Sequence, residues 1–239
     1  MRDGWFLEAA RHGRDRAPQR SARADVTDPA RTPGGERPPS GRLISLSDAV
    51  FAISITLLVL ELRPPADTEH LARGLIELWP SLLAYVISFL LIGEIWADHH
   101  LLYRQIVVHD RVLLFLNTSF LMSVAFLPFS TSVLADAFRD GQGERAAVVF
   151  YGLSFGVGSV LFNAIWLYAS HGHRRIRPGL DAEGVRATTR SFLLAPLLNA
   201  AGVLVGAIVP TLGLLFYVVL VPVLWLPTRK VSLAPGELT

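Results

Sequence analysis

The feature that most constrains this chain is a series of apolar runs long enough to cross a lipid bilayer. The first extends from Ile44 to Leu62. The runs that follow are Leu78–Leu102, Val112–Leu134, Ala146–Ala169, Phe192–Val209 and Thr211–Leu226. Each approaches the ~20 residues that a helix needs to cross ~30 Å of hydrocarbon. These runs predict an all-α membrane protein with six spans, in which Pro210 separates the last two as a tight helical hairpin.

The sequence outside the apolar runs predicts the domain boundaries. Residues 1–41 are rich in Arg, Pro and Gly and lack apolar periodicity, which predicts a disordered tail. A six-helix transmembrane domain is predicted over residues 42–228, followed by a short C-terminal tail over residues 229–239. Of the 22 Lys and Arg residues, 18 fall on the side that holds both tails. Because positive residues accumulate on the cytoplasmic side, both termini are predicted to lie in the cytoplasm and the protein in the cell membrane.

Several classes of function find no support in the sequence. The chain has no Cys, which excludes disulfides and thiol chemistry, and the motifs GxSxG, HExxH and GxxxxGK[ST] are absent. The chain is therefore not predicted to be an enzyme, and no cofactor is predicted. The carbonyl-filter motif TVGYG is absent as well. The basic residues are explained by membrane topology, so no nucleic-acid partner is expected.

The second apolar run, Leu78–Leu102, carries a polar cluster whose spacing argues against a metal site. Asp98, His99 and His100 are consecutive. Because consecutive helical residues diverge by ~100°, these side chains cannot converge on one ion. No metal site is predicted, and a hydrogen-bonding role near Trp96 is favoured. Asn residues within the spans are expected to bond neighbouring helices; these are Asn117, Asn163 and Asn199.

The first apolar run has two different faces on a helical wheel. With Ile53 at zero, Leu57 and Leu60 lie within about 40° of it and Thr56 at about 60°. Asp48 lies on nearly the opposite side. A carboxylate within a span is a functional-site hypothesis by default, but it can also be a buried acceptor that holds the helix in place. Both interpretations of Asp48 stay open, and the wheel favours the second.

The motif at the start of this run resembles that of a known family. Arg42-x-x-x-Leu46-Ser47-Asp48 is similar to the RxxxFSD signature of the bacterial relatives of the lysosomal potassium channel, transmembrane protein 175. Trp96-x-x-His99 resembles the family's W-x-x-H, and Leu116-Asn117 with Leu127-Pro128-Phe129 resembles its LN…LPF pattern. The resemblance covers residues 42–228. Leu46 is a departure, because the family has Phe there.

The resemblance implies a potassium-selective channel that conducts K⁺ passively as a homotetramer in the lipid bilayer. The first helix of each subunit would line the pore, with Ile53 at the constriction and Thr56, Leu57 and Leu60 facing the same path. A hydrophobic constriction of this kind would act as gate and filter. A network that anchors the pore helix is implied for the family positions Arg42, Ser47, Asp48, Trp96 and His99.

Two alternatives remain open on the sequence. A proton-coupled secondary transporter would use intramembrane carboxylates and His as a relay; the candidates are Asp48, Glu94, Asp98 and His99. No internal repeat supports this alternative, although transporters often have one. The other alternative is a structural or regulatory membrane protein without a permeation path.

Overall fold

The chain forms a helical bundle in a computed structural model that describes residues 39–65, 69–173, 175–177, 180 and 182–225. The α-helices are α1 Pro39–Leu57, α2 Leu71–Glu77, α3 Trp79–Gln105, α4 Arg111–Asp140, α5 Glu144–Ser170, α6 Ala182–Ile208 and α7 Pro210–Trp225. A 3₁₀ segment, Leu58–Glu61, extends α1. Five of these helices (α1 with its extension, α3, α4, α5 and α6) are long and apolar enough to cross a membrane, and α7 is a shorter apolar helix. The predicted all-α membrane fold is confirmed.

The helices differ from the predicted runs mainly at their ends. Helix α6 begins at Ala182, ten residues before the predicted Phe192. Apolarity marks the lipid-facing length, whereas helical hydrogen bonding continues through the polar turns beyond it. The seven-residue helix α2 was not predicted, since it is too short to show a clear apolar period. The predicted tails over 1–41 and 229–239 lie outside the described residues, except for 39–41, which begin α1.

Short connections hold neighbouring helices together. Val209 is the one residue between α6 and α7, and Pro210 opens the second helix. Gly206 and Gly213 approach each other closely: a Cβ on Gly213 would collide with the backbone of Gly206, and a Cβ on Gly206 would collide with Val148 of α5. The turn between α4 and α5 contains Gly141 and Gly143, whose φ angles are 67° and 72°. Glycine is favoured there because other residues rarely adopt positive φ.

Buried polar side chains link the helices inside the bundle. Ser88 on α3 lies 3.0 Å from the Tyr151 hydroxyl on α5 and accepts a hydrogen bond of 2.9 Å from Thr131 on α4. Asn199 on α6 donates to the Gly152 carbonyl at 2.9 Å and accepts from the Tyr217 hydroxyl at 3.2 Å. The predicted role of Asn199 as a link between helices is confirmed.

The loops before α4 and after α5 are joined outside the membrane-spanning helices. Ile106 and Ile176 form an isolated antiparallel bridge. Asp110 caps α4 by accepting from the Leu113 amide at 2.9 Å, and it also accepts from the Tyr168 hydroxyl at 2.7 Å and from Arg175 Nε at 2.9 Å. These three donors hold the pKa of Asp110 at about 2, below its usual value of 3.8.

Candidate functional site

Helix α1 presents one buried face and one exposed face. The buried residues recur every three or four positions, as expected for a helix that packs along one side; they are Leu43, Ser47, Phe51, Ser54 and Leu58. They pack against α3 and α4. The opposite face is covered by no other part of the described chain. Its large apolar side chains include Ile53, which is 58% exposed, Leu57, 39% exposed, and Leu60, 73% exposed.

The structure places the four predicted pore residues on this exposed face. Ile53, Thr56 and Leu57 lie in α1, and Leu60 lies in the 3₁₀ segment that follows. The Thr56 hydroxyl donates within its own helix, to the Ala52 carbonyl at 3.0 Å and the Ile53 carbonyl at 2.9 Å. Because its hydrogen is used there, the hydroxyl oxygen has its lone pairs free to accept from the exposed side. The face is thus aliphatic with one polar acceptor.

Asp48 is bonded to a neighbouring helix rather than projecting from the exposed face. The indole Nε1 of Trp96 on α3 donates to Asp48 Oδ1 at 2.9 Å. Asp48 is half-buried, and Trp96 is 44% exposed. A hydrogen bond to an ionised acceptor is about twice as strong as one between neutral groups. This bond restrains the rotation of α1 relative to α3.

A second link joins α1, α3 and α4 through fully buried side chains. The Ser47 hydroxyl donates to the Leu43 carbonyl at 3.0 Å and accepts from Asn117 Nδ2 at 3.2 Å. Since Nδ2 donates to Ser47, the Oδ1 atom of Asn117 faces His99 Nε2 at 3.0 Å. Nε2 must therefore carry the hydrogen and donate it, which fixes the tautomer of His99.

Aromatic rings enclose His99 on the same three helices. Its ring stacks on Phe120 of α4 with an interplanar angle of 6° and a centroid distance of 5.5 Å. Phe51 of α1 lies 5.5 Å from it, and Tyr103 of α3 lies 4.5 Å from it. The imidazole is 1% exposed. Its packing and its hydrogen bond both determine how α1 sits against α3 and α4.

Arg42, which belongs to the predicted network, and Leu46, which does not, both lie on the exposed side of α1. Arg42 is exposed, and within the described part of the chain no hydrogen bond or ion pair joins it to Asp48. On the helical wheel Arg42 falls on the same face as Ile53. Leu46, which replaces the family's Phe, is 55% exposed and lies on this face too. Neither side chain is part of the packing between α1 and the rest of the subunit.

Asn117 is the residue that the predicted network lacked. It is fully buried, and it joins Ser47 to His99. Its place in the Leu116-Asn117 motif and its amide within an apolar run were the available signals. Asn163 also bonds a neighbouring helix, through Nδ2 to the Phe192 carbonyl at 3.2 Å. The prediction that these amides join helices is confirmed for both residues.

The polar cluster of α3 disperses into different environments. His99 is buried in the network, His100 is exposed and Asp98 is half-buried. Across the residues that the structure describes, no three His, Cys, Asp or Glu side chains are grouped so that they could hold a metal ion. The three consecutive residues thus diverge as their spacing predicts.

The comparisons with known proteins concern the same region. The family described as the endosomal/lysosomal potassium channel TMEM175 matches residues 42–128, which run from α1 into α4. A potassium channel of Streptomyces collinus is 39% identical over 160 residues, 66% of this chain and 78% of the relative. A potassium channel of Chamaesiphon minutus is 35% identical over 165 residues, 67% of this chain and 81% of the relative.

A solved structure agrees over a larger part of the chain. The crystal structure of a lysosomal potassium-selective channel TMEM175 homolog from Chamaesiphon minutus superposes with a TM-score of 0.70 and 32% sequence identity. The match covers 77% of this chain and 95% of that one. The motif residues, the bundle and the level of identity agree, and the chain belongs to the TMEM175 family.

Proposed function

We propose that this protein is a potassium-selective cation channel that conducts passively through a pore lined by α1 of each subunit. Membership of the TMEM175 family supports this, and so do the two bacterial relatives named as potassium channels. The family is one of ion channels, so no enzymatic activity is proposed. The permeant ion is K⁺, and the protein needs no cofactor.

The observation that carries the proposal is the exposed aliphatic face of α1. A single bundle with one such face cannot enclose a path, whereas copies arranged around an axis can. We therefore propose a homo-oligomer, a tetramer, in which the faces of the α1 helices meet at the axis. Two hydrogen-bonded links support this arrangement, because both fix the rotation of α1: Trp96 to Asp48, and His99 through Asn117 to Ser47.

The proposed mechanism follows from the side chains on that face. A ring of Ile53 side chains forms a hydrophobic constriction that opens and closes by wetting and dewetting. Leu57 and Leu60 continue the apolar wall, and Thr56 offers a hydroxyl oxygen beside it. K⁺ sheds its hydration water more readily than Na⁺, so a narrow aliphatic ring favours K⁺. Selectivity of this kind is weaker than that of a filter made of carbonyl oxygens.

The proposed membrane topology has six spans. Helix α7 is 16 residues long and is the sixth span, paired with α6. The channel domain covers residues 42–228, between the tails 1–41 and 229–239. Both termini lie in the cytoplasm of a cell-membrane protein, because 18 of the 22 Lys and Arg residues fall on that side.

Reconstitution into liposomes tests the proposal. Currents are recorded under opposed K⁺ and Na⁺ gradients for the wild type, for Ile53→Asn and for the control Val160→Asn, whose side chain is 63% exposed on α5. The wild type should reverse near the K⁺ potential. Ile53→Asn should raise the conductance or weaken the selectivity, and Val160→Asn should do neither.

One result would contradict the channel, and another would contradict the assigned constriction. Flux that requires a pH gradient, and that Asp48→Asn abolishes in a folded protein, would identify a proton-coupled transporter instead. Equal effects of Ile53→Asn and Val160→Asn on conductance would show that Ile53 does not form the constriction.

A further inference from the structure

Two small cavities lie inside the subunit, away from the exposed face of α1. One, of about 40 Å³, is lined by residues of α3, α4, α5 and α6 that include Asp98 and Asn163. The other, of about 60 Å³, is lined by residues of α3, α5, α6 and α7 that include Glu94, Asp98 and Tyr217. Both share Asp98, Ser159 and neighbouring apolar side chains, and neither includes a residue of α1.

Two carboxyl groups border these cavities within the membrane-spanning length of α3. Glu94 is 8% exposed and Asp98 is half-buried. They are four residues apart, which places them on one face of the helix. Ionisable groups inside a span are expensive to bury, and they mark functional sites by default. Both already take part in a polar interaction within the chain, so a ligand would complete their surroundings rather than supply their sole partner.

Asn163 provides an independent sign of a ligand. It is 6% exposed and lines the cavity together with Asp98. Its Nδ2 donates to the Ser159 carbonyl at 2.9 Å and to the Phe192 carbonyl at 3.2 Å. Since both partners are carbonyl oxygens, the orientation of the amide is fixed. Its Oδ1 is buried and accepts no hydrogen bond from the described chain. A buried acceptor of this kind requires a donor or a cation.

Asn199 is a buried amide in the same bundle whose oxygen and nitrogen both have hydrogen-bond partners. It borders the second cavity, and both of its polar atoms are bonded, to the Gly152 carbonyl and the Tyr217 hydroxyl. The open acceptor of Asn163 is therefore a local feature and not a general property of buried Asn here. The other polar side chains that line the first cavity are those of Asp98 and Ser159, and both carry oxygen atoms.

We propose that each subunit binds a monovalent cation, Na⁺ or K⁺, in the first cavity, with Asn163 Oδ1 and the carboxylate of Asp98 as its protein oxygens and with Glu94 at the second cavity, which shares Asp98. Hard cations take oxygen ligands. A cavity needs about 10–15 Å³ to hold one water molecule, so there is room for the ion and for water that completes its coordination. This site is distinct from the proposed pore.

Thermal unfolding of the purified full-length protein tests the site. The midpoint is measured at equal ionic strength in NaCl, KCl and N-methyl-D-glucamine chloride, because the last cation is too large for the cavity. The wild type should unfold at a temperature higher by on the order of 3 °C in at least one of the alkali salts. Equal midpoints in all three salts would mean that the cavity holds water alone, and would overturn the proposal.

Variants separate this site from the pore. Glu94→Gln with Asp98→Asn keeps the side-chain size and should remove most of the salt-specific shift, and Asn163→Leu should do the same. Asp136→Asn, which changes a carboxyl of α4 outside the cavities, should keep it. A shift that persists in the double variant belongs to another site such as the pore, and overturns the proposal. Should the double variant not fold, Asp98→Asn alone is decisive. An unfolding midpoint that changes with pH but not with the cation would indicate protonation of the carboxyl groups instead of cation binding, and would also overturn the proposal.

Discussion

The indole nitrogen of Trp96 donates to Asp48 at 2.9 Å, across the boundary between α3 and α1. Helix α1, which carries Asp48, is proposed to line the pore, and α3, which carries Trp96, packs behind it. The bond therefore joins the proposed pore helix to its neighbour. It therefore places the negative charge at the side of α1 and leaves the aliphatic face of that helix uncovered. Asp48 and Ile53 thus have separate roles in the proposal, one in positioning the helix and the other in contact with the permeating ion.

Trp96→Phe tests whether this bond positions the pore helix. Phe keeps an aromatic side chain, although a smaller one than indole, and one hydrogen bond to a carboxylate is lost. The loss of that bond should lower the free energy of unfolding by about 1 kcal/mol, since the pair is partly exposed. The ratio of K⁺ to Na⁺ permeability should fall as well. Trp225→Phe is the control, because Trp225 also donates between helices, to the Leu90 carbonyl at 3.2 Å. It should affect stability alone. Unchanged selectivity in Trp96→Phe would argue against a positioning role.

Asn117 should contribute more to the free energy of unfolding than Ser47, its hydrogen-bond partner on α1. Asn117→Leu leaves the His99 Nε2–H without an acceptor in a site where His99 is 1% exposed. Such a loss costs on the order of 2–3 kcal/mol. Ser47→Ala should cost less, about 1–2 kcal/mol, because it leaves Asn117 Nδ2 without its acceptor while Asn117 Oδ1 still accepts from His99. Thermal unfolding in detergent measures both. A larger loss for Ser47→Ala than for Asn117→Leu would show that the link does not depend on the amide.

The two faces of α1 could be predicted from the sequence because a helix has a fixed angular period. That period places Ile53 and Leu57 together and Asp48 nearly opposite, and the structure exposes the first two while Asp48 bonds to α3. The long helices were predictable for a similar reason, since the thickness of a bilayer sets the length of an apolar run.

The partners inside the network could not be predicted from periodicity. Whether Ser47 meets Arg42, Asn117 or another side chain depends on how α3 and α4 rotate against α1, and no single helix determines that. The structure selects Asn117 and leaves Arg42 on the exposed face. The start of α6 at Ala182 was missed because the helix continues beyond the apolar run that was used to find it.

Thr56→Val tests the contribution of the one hydroxyl among the four proposed pore residues. The substitution keeps the shape, and the hydroxyl bonds within its own helix, so the free energy of unfolding should change by less than about 0.5 kcal/mol. The K⁺ current should fall severalfold, since the apolar stretch becomes longer and dewets more readily. Thr118→Val is the matched control: Thr118 is exposed on α4 and donates to the Leu114 carbonyl at 2.9 Å. Equal currents in the two variants would place Thr56 outside the path.

The contact between the loops before α4 and after α5 should make stability depend on pH in a defined range. The Leu113 amide, the Tyr168 hydroxyl and Arg175 hold the pKa of Asp110 at about 2 in the folded protein, against 3.8 ordinarily. Folding therefore favours the ionised carboxylate. Its contribution is complete above about pH 5 and is lost progressively as the pH falls through 3.8 towards about 2.

Asp110→Asn isolates this contribution, since Asn can still cap the helix but cannot ionise. In detergent, the unfolding midpoint of the wild type should exceed that of Asp110→Asn by a constant amount from pH 7 to about pH 5, and the difference should then shrink towards pH 2. Tyr168→Phe removes one of the three donors and should shift the loss to a higher pH, because the carboxylate is then held less strongly. A difference that stays constant down to pH 2 would show that the charge of Asp110 does not hold the two loops together.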